Sequence, residues 1–306
     1  MELHRPRVTI GLPVYNGQNY LEQAIRSILD QTYTDFRLII SDNASTDDTP
    51  RICEKYAQQD SRIELHRQTQ NVGAAPNFNR VFELSNSEYF KWAAHDDALA
   101  PDFLKRCVER LDAEPRLTIC HALAGRIDQH GEQVGTYDNQ LPLAARRPSE
   151  RFLRALWVDH FTEIWGVMRS STLRQTSLMG SFVGSDRNLL LEMLLLGEIE
   201  YVPQHLFFRR SHPGCYCDSQ QTHSDRLRWF DPTKNHHAWA SVSIRTWNYF
   251  RALSRSPIGT KERLRCVQHL LHWSATRASQ KLGRRREIEQ EQRRIRAKLD
   301  PISSNS

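Results

Sequence analysis

A doubly wound α/β sheet is the fold class this sequence predicts, and three observations carry the prediction. Strand and helix patterns alternate four times between Val8 and Trp92. The loops after Leu12, Ile40 and Trp92 hold polar and acidic residues, and in open sheets of this kind such loops line a ligand crevice beyond the carboxyl ends of the strands. The chain has 306 residues, 39% of them hydrophobic, enough for one substantial core with an appended subdomain and too apolar for a disordered protein.

Val8, Ile10 and Leu12 alternate with polar or small neighbours in a short strand that Pro13 to Gly17 break. From Asn19 to Gln31 the apolar residues Leu21, Ala24, Ile25, Ile28 and Leu29 fall at helical spacing, and a second strand, Phe36 to Ile40, runs into the polar loop Ser41 to Asp47. The unit is βαβ, so these two strands are expected to be parallel. A helix around Pro50 to Gln59, a strand at Ile63 to His66, a helix around Asn77 to Leu84 and a strand at Tyr89 to Trp92 repeat the pattern. A helix from about Pro101 to Leu111 and a strand near Leu117 to Ala124 follow. Gly125 to Gly135 reads as a turn-rich connection, and a division of the chain is placed there, between 1–124 and 125–225. Beyond it come a helix with Phe152, Leu153, Leu156 and Trp157, a strand at Trp165 to Met168, an apolar helix from Asp186 to Leu196 and a short apolar strand ahead of Arg209. A helical extension, 226–306, is expected to anchor itself through Trp239, Trp247, Tyr249 and Phe250 and to fray from Arg284.

The net charge of +6 is uneven: residues 261 to 306 hold twelve Lys/Arg against five Asp/Glu, a local +7 that leaves −1 for the rest. A solvated helix face explains this, contact with an anionic membrane surface is the next reading, and nucleic acid is not expected. Leu264, Val267, Leu271, Ala275 and Ala278 share one helical face in this tail, read first as a packing face. Residues through Arg7 contain no apolar run, and nothing later reaches the ~18 apolar residues of a membrane span, so no secretory signal or anchor is expected. Six cysteines, most of them inside apolar patterns, point to a reducing cytoplasm. His212, Cys215, Cys217 and His223 lack Cys-x2-Cys spacing, which argues against zinc.

The stretch Val8-Thr9-Ile10-Gly11-Leu12-Pro13-Val14-Tyr15-Asn16-Gly17, the loop Ser41-Asp42-Asn43-Ala44-Ser45-Thr46-Asp47, and Asn71-x-Gly73 followed by His95-Asp96-Asp97 together resemble glycosyltransferase family 2 over about the first 110 residues. The resemblance implies a GT-A fold, Rossmann-like with a mixed sheet, in which 1–124 binds a nucleotide sugar and 125–225 binds the acceptor. It further implies Asp97 on a divalent cation, Mn²⁺ or Mg²⁺, with Asp96 near the ribose or a metal-bound water, Asp42 accepting a hydrogen bond from the base, and Tyr15 against the base with Pro13 opposite. Each residue has a plainer alternative: a turn cap for Asp96 or Asp97, an Asx-turn for Asp42, a buried structural tyrosine for Tyr15. Asn71, Gly73 and Asn79 match the family's Asn-x-Gly and downstream Asn, but Asn77-Phe78-Asn79 stands where the family has Ala-Arg-Asn.

Gly184-Ser185-Asp186-Arg187 resembles the family's acidic motif at the start of an acceptor-lining helix, which makes Asp186 the candidate general base of an inverting transfer. Ser185 stands in the place of the family's first carboxylate, and Ser185 or Asp186 would also cap the helix. Arg209-Arg210-Ser211-His212-Pro213 resembles the segment that folds over the donor, with His212 completing the metal shell and Arg209 or Arg210 meeting the phosphates. Trp229-Phe230-Asp231-Pro232 reads either as an acceptor-side wall or as an ordinary packing cluster.

The function expected is metal-dependent transfer of a sugar, with a UDP-sugar favoured, to a saccharide or lipid-linked acceptor in cell-surface polysaccharide synthesis. The expected location is the cytoplasm, with peripheral contact at the inner face of the membrane through the basic helices. The alternatives are a catalytically degenerate scaffold that binds a membrane or partner, and a sugar nucleotidyltransferase. The latter would need a Gly- and basic-rich phosphate loop where Pro13 to Gly17 stand.

Overall fold

The structure, a computed structural model, describes residues 5–137, 145–158, 162–213, 215, 223–230 and 241–299. The chain begins β1 (Val8–Val14), α1 (Leu21–Leu29), β2 (Phe36–Asp42), α2 (Thr49–Gln59), β3 (Ile63–Arg67), α3 (Ala74–Glu83), β4 (Tyr89–Trp92). β1 lies between β2 and β4 and is parallel to both, and β3 extends the parallel array beyond β2. Right-handed βαβ crossovers dictate this order. They bring the ends of β1, β2 and β4 to one edge, with Val14 opposite Asp42 and Gly11 opposite Trp92.

The second half completes the sheet with mixed pairing. It runs β5 (Ala98–Leu99), α4 (Phe103–Ala113), β6 (Leu117–Ile127), β7 (Gln133–Thr136), α5 (Pro148–Leu156), β8 (Val167–Arg169), α6 (Ser170–Leu173), α7 (Ser185–Leu196) and β9 (Glu198–Arg210). Among the described residues the strand order is β3-β2-β1-β4-β8-β6-β9-β5, with β7 paired to β6. β8 is antiparallel to β4 and β6, β9 is parallel to β6, and β5 is antiparallel to β9. α8 (His223–Phe230), α9 (Ser241–Arg255) and α10 (Thr260–Leu299) follow.

Alternating strand residues build a core on each face of the sheet. Val8, Ile10, Leu12 and Val14 pack with α1, α2 and α4, through residues such as Ile25, Cys53 and Phe103. Phe90, Trp92 and Ile119 face the other way, into a core with Phe82, Phe152, Leu190, Tyr249 and Trp273 from α3, α5, α7, α9 and α10. Lys91 is the charged exception within β4, 1% exposed, with Nζ donating to the carbonyls of Trp92 at 3.0 Å and Trp165 at 2.5 Å.

Several sequence expectations change. Gly125 to Gly135 is not a turn-rich connection: β6 continues to Ile127 and turns back into β7, so the division at 124/125 falls inside a strand. The short strand expected before Arg209 is the 13-residue β9, whose long pairing with β6 carries Arg209 and Arg210 inside the sheet. On α10 the packing face is Cys266, Leu270 and Trp273, all 0% exposed, while Leu264 and Leu271 point outward at 60% and 56%. The helix itself runs through Arg284 to Leu299. Tyr249 is an anchor as expected, whereas Trp247 is exposed; Trp239 lies outside the described residues.

Gly11 shows how tightly β1 meets α3: a Cβ there would stand 2.5 Å from Val81 Cγ2 and 2.8 Å from Phe90 Cζ. Gly11→Ala is therefore expected to destabilise the fold by about 1–3 kcal/mol, the usual range for overpacking a filled core, read as a lower urea midpoint at unchanged slope.

Candidate active site

Three strand ends build the crevice. The chain leaving β1 carries Tyr15, 43% exposed, and then Asn16 in the left-handed region at φ 51°. Asn16 accepts the Thr46 N–H at 2.9 Å through its side-chain carbonyl, and its own N–H donates to Ser45 Oγ at 2.9 Å. Gln18 and Asp47 extend this zipper between the two loops. An exposed tyrosine on a braced loop presents an aromatic face, so the buried structural role considered for Tyr15 does not apply. Pro13 lies within buried β1, paired with Ser41.

Asp42 is the last residue of β2 and has no exposed surface. Its Oδ1 accepts the Ser45 N–H at 3.0 Å, the Asx-type closure of the loop. Its Oδ2 accepts no hydrogen bond and faces Arg67 Nε at 3.4 Å. One oxygen thus shapes the loop while the other keeps acceptor capacity. Asn71 is committed to the neighbouring loop, where its carbonyl accepts from Gly73 N–H and Asn43 Nδ2, both at 2.9 Å. Asn79 bonds twice to the Met179 backbone at 2.9 Å and ties α3 to the segment ahead of α7.

The acidic pair follows β4 and is clamped by β9. Asp97 Oδ1 accepts the Arg210 backbone N–H at 2.9 Å, and Arg210 Nε donates to the Asp96 carbonyl at 2.7 Å. The rest of the Arg210 guanidinium donates to the Asp128 carbonyl at 2.9 Å and Gln23 Oε1 at 2.8 Å, with the group 4.8 Å from the Tyr20 ring centre. Arg210, expected at the phosphates, is 3% exposed and braces the acidic loop instead. Arg209, 5.7 Å over the Tyr137 ring, is the arginine whose charge acts on both Asp97 and Asp186.

Electrostatics separates the two aspartates. Burial works against the charged form of Asp96, but the His212 hydrogen bond and the charges of His95 and His212 outweigh it and hold the carboxyl below the usual range. Burial and the Asp96 charge push Asp97 up to about 7, against the opposing Arg210 N–H and the charges of Arg209 and Lys91. Lys91 is itself lowered to about 7 by burial. His212 Nε2 lies 3.0 Å from Asp96 Oδ2, its Nδ1 3.0 Å from the Pro213 carbonyl, and its ring stacks 4.6 Å from Tyr20. The Asp96 bond raises His212.

These groups fit a divalent cation shared with a substrate. Among the described residues no three or more His, Cys, Asp or Glu side chains converge as a closed cage. Hard cations of the Mg²⁺ type are commonly held by one or two carboxylates, with water and substrate phosphates supplying the rest. Asp97, a buried carboxylate beside a second negative charge, has the electrostatics that a cation relieves, and His212 stands beside the pair. For zinc, Cys217 and the His223 side chain lie outside the described residues.

On the opposite wall, α7 starts after Gly184, φ 87°, with no side-chain cap. Asp186 sits in its first turn, where Oδ1 accepts the Arg187 N–H at 2.8 Å. The residue keeps some exposed surface, but its carboxyl is enclosed, and burial raises it despite the Arg187 N–H and the Arg187 charge. Gly184 rather than Ser185 or Asp186 occupies the N-cap position, while the Asp186 carboxylate accepts a first-turn N–H and puts a negative charge at the helix start. Trp229 is 40% exposed and 6.1 Å from the Phe78 ring, Phe230 is buried, and Asp231 and Pro232 lie outside the described residues. The sequence reading missed Tyr20, Gln23 and Lys91. Only Lys91 left a signal, a charge within an otherwise apolar strand.

Comparison with known proteins bears on this geometry. The family model described as glycosyl transferase family 2 matches residues 9–172. Chondroitin synthase of Escherichia coli is 27% identical over 212 residues, which cover 68% of this chain and 29% of that protein. The chain spans about half the length, or less, of the curated relatives it matches. Among solved structures, residues 1–349 of S. aureus TarS in complex with UDP-GlcNAc align with a TM-score of 0.63 at 13% identity, over 86% of this chain and 71% of that one. The mannosyltransferase PcManGT of Pyrobaculum calidifontis, in complex with GDP-Man and Mn²⁺, aligns with a TM-score of 0.53 at 16% identity, over 89% and 87%. The fold is GT-A, with a mixed α/β sheet and C-terminal helices.

The Asp96–His212 contact gives a pH prediction for the metal-free protein. His212, raised in the fold, contributes stability that is full below its unfolded value near 6.5 and is lost as pH rises through the folded value. Asp96, lowered in the fold, contributes stability present above about 3.9 and lost as pH falls through its folded value. Histidine-detected NMR is expected to show His212 titrating above its ordinary value, and Asp96→Asn to bring that midpoint down.

Proposed function

The chain belongs to glycosyl transferase family 2, and from that premise we propose that it moves a sugar from a nucleoside-diphosphate donor to an acceptor hydroxyl, with inversion and with a divalent cation. The observation that carries the reading is the convergence at one sheet edge of Tyr15, the acceptor oxygen of Asp42 and the clamped pair Asp96–Asp97, across from Asp186.

In this reading Tyr15 stacks on the base, and Asp42 Oδ2 accepts a base N–H, which suits the imide of uridine. Arg209 meets the diphosphate. Asp97 and His212 hold Mn²⁺ or Mg²⁺, with Asp96 beside them. When bound, the cation neutralises charge gathering on the departing diphosphate. Asp186, raised by burial, takes the proton of the attacking hydroxyl, and a base displaced toward neutrality does this more readily. Arg210 positions the acidic pair without touching the donor. The bound UDP-GlcNAc of TarS and GDP-Man and Mn²⁺ of PcManGT support the nucleotide-sugar and cation parts of the proposal.

The acceptor class we propose is a saccharide or lipid-linked glycan in polysaccharide synthesis, which the chondroitin synthase likeness supports. Among the described residues no helix is long and apolar enough to cross a membrane. Exposed Leu264 and Leu271 on a basic helix support peripheral contact with the inner membrane face from the cytoplasm.

Calorimetric titration with UDP, GDP and CDP, with and without Mn²⁺, tests the donor side. One nucleotide, UDP foremost, is expected to bind only with metal, and Asp97→Ala to abolish this; metal-independent or absent binding overturns the reading. Asp186→Asn is expected to keep nucleotide binding and to lower transfer by roughly 10²–10⁴-fold, the usual contribution of a general base.

A further inference from the structure

Asp42 and Arg67 are the last residues of β2 and β3, and they stand level in the parallel register. Level residues on neighbouring strands send their side chains to the same face, so a carboxylate and a guanidinium meet where the two strands end. The Gln68 N–H donates to the Asp42 carbonyl at 2.8 Å and fixes the chain leaving β3 against β2.

The two side chains are close without being joined. Asp42 is 0% exposed, and its Oδ2 is a buried oxygen that accepts no hydrogen bond. Buried polar atoms are almost always paired, so this oxygen calls for a donor from outside the chain. Arg67 Nε stands 3.4 Å away from it, and Arg67 Nη1 donates to Glu54 Oε1 at 3.2 Å. Glu54, on α2, thereby holds one end of the guanidinium and leaves the edge formed by Nε and Nη2 on the Asp42 side. The Arg67 side chain is 50% exposed, so a ligand that reaches Oδ2 meets the guanidinium as its next neighbour.

The carboxylate only accepts and the guanidinium only donates. Side by side they match a base edge on which an N–H lies next to a carbonyl oxygen. Uracil presents that edge in either orientation of the ring, because its N3–H lies between O2 and O4. Guanine presents it on one side only, since an amino group occupies the other flank of its N1–H. Cytosine seated like uracil sets the N3 lone pair against Oδ2, and in one orientation an amino N–H against the guanidinium. Each mismatch leaves a desolvated group unpaired, which is how hydrogen-bonding sites reject near-isosteric ligands.

We propose that Arg67 is a base-reading residue of the donor site, which donates to the uracil carbonyl beside the N–H that Asp42 accepts. The assignment deepens the transferase reading and rests on its placing of the base at Asp42. It gives the end of β3 a part in the choice of UDP over CDP.

Calorimetric titration of the full chain with UDP, 4-thio-UDP and 2-thio-UDP, in the presence of Mn²⁺, tests the assignment in wild type, Arg67→Met and Arg67→Lys. Both analogues keep N3–H and replace one carbonyl oxygen by sulfur, a weaker acceptor. Wild type is expected to bind UDP more tightly than the analogue whose sulfur faces Arg67. Arg67→Met is expected to weaken UDP about ten-fold and to erase that preference. Arg67→Lys keeps the charge without the planar fork and is expected to behave like Arg67→Met. A purely structural role would weaken all three ligands by one factor, and that result overturns the assignment. Full UDP affinity in Arg67→Met or Arg67→Lys, or equal wild-type affinity for all three ligands, overturns it as well. A wild type that binds GDP or CDP with Mn²⁺ but not UDP removes the Arg67 assignment and leaves the transferase reading standing. A wild type that binds no nucleotide removes both.

Discussion

The clamp of β9 on the acidic loop is the contact on which the rest of the site depends. Asp96 and Asp97 follow a strand only four residues long, and two adjacent carboxylates, Asp97 buried and Asp96 half-buried, repel each other. What fixes them is donation from Arg210: its backbone N–H to Asp97, its Nε to the Asp96 carbonyl, and its remaining guanidinium nitrogens to Asp128 and Gln23. One side chain thereby joins α1, the end of β4, the β6–β7 turn and the end of β9. The short β5, paired to Phe207 and Phe208, holds the same loop from its far side. Lys91 adds a buried positive charge beneath Asp97, held in place by two backbone carbonyls.

This arrangement divides the crevice by charge. On the β1, β2 and β4 side the concentrated charge is negative, with Asp42 and Asp97 buried and Asp96 half-buried. A diphosphate would be repelled there without a cation, which is the physical reason to connect metal and donor in the proposed reaction. Around the start of α7 the sign reverses, with Arg187, Arg245 and Arg277 near Tyr249. Asp186 stands on that positive side as a carboxylate enclosed by neighbours, with Arg209 from β9 acting on it and on Asp97 alike. The two halves of the site are thus coupled through β9.

Some of this was legible in the sequence and some was not, and the difference follows the range of the interactions. Period-2 and period-3.6 patterns are local, and the handedness of βαβ units is close to invariant. The sequence by itself therefore determined the parallel first half, and it determined that Tyr15, Asp42 and Asp96–Asp97 sit at neighbouring strand ends. Tertiary structure decided the rest. Arg210 became a brace instead of a phosphate ligand because its acceptors are up to 187 residues away in the chain, at Gln23. Leu264 and Leu271 turned outward because α5 and α9 offer their packing surfaces to Cys266, Leu270 and Trp273, and a helix with apolar residues on more than one side cannot report from its own pattern which side a neighbour will cover. The buried charge at Lys91 was decided in the same way, since only the assembled layers remove water from it.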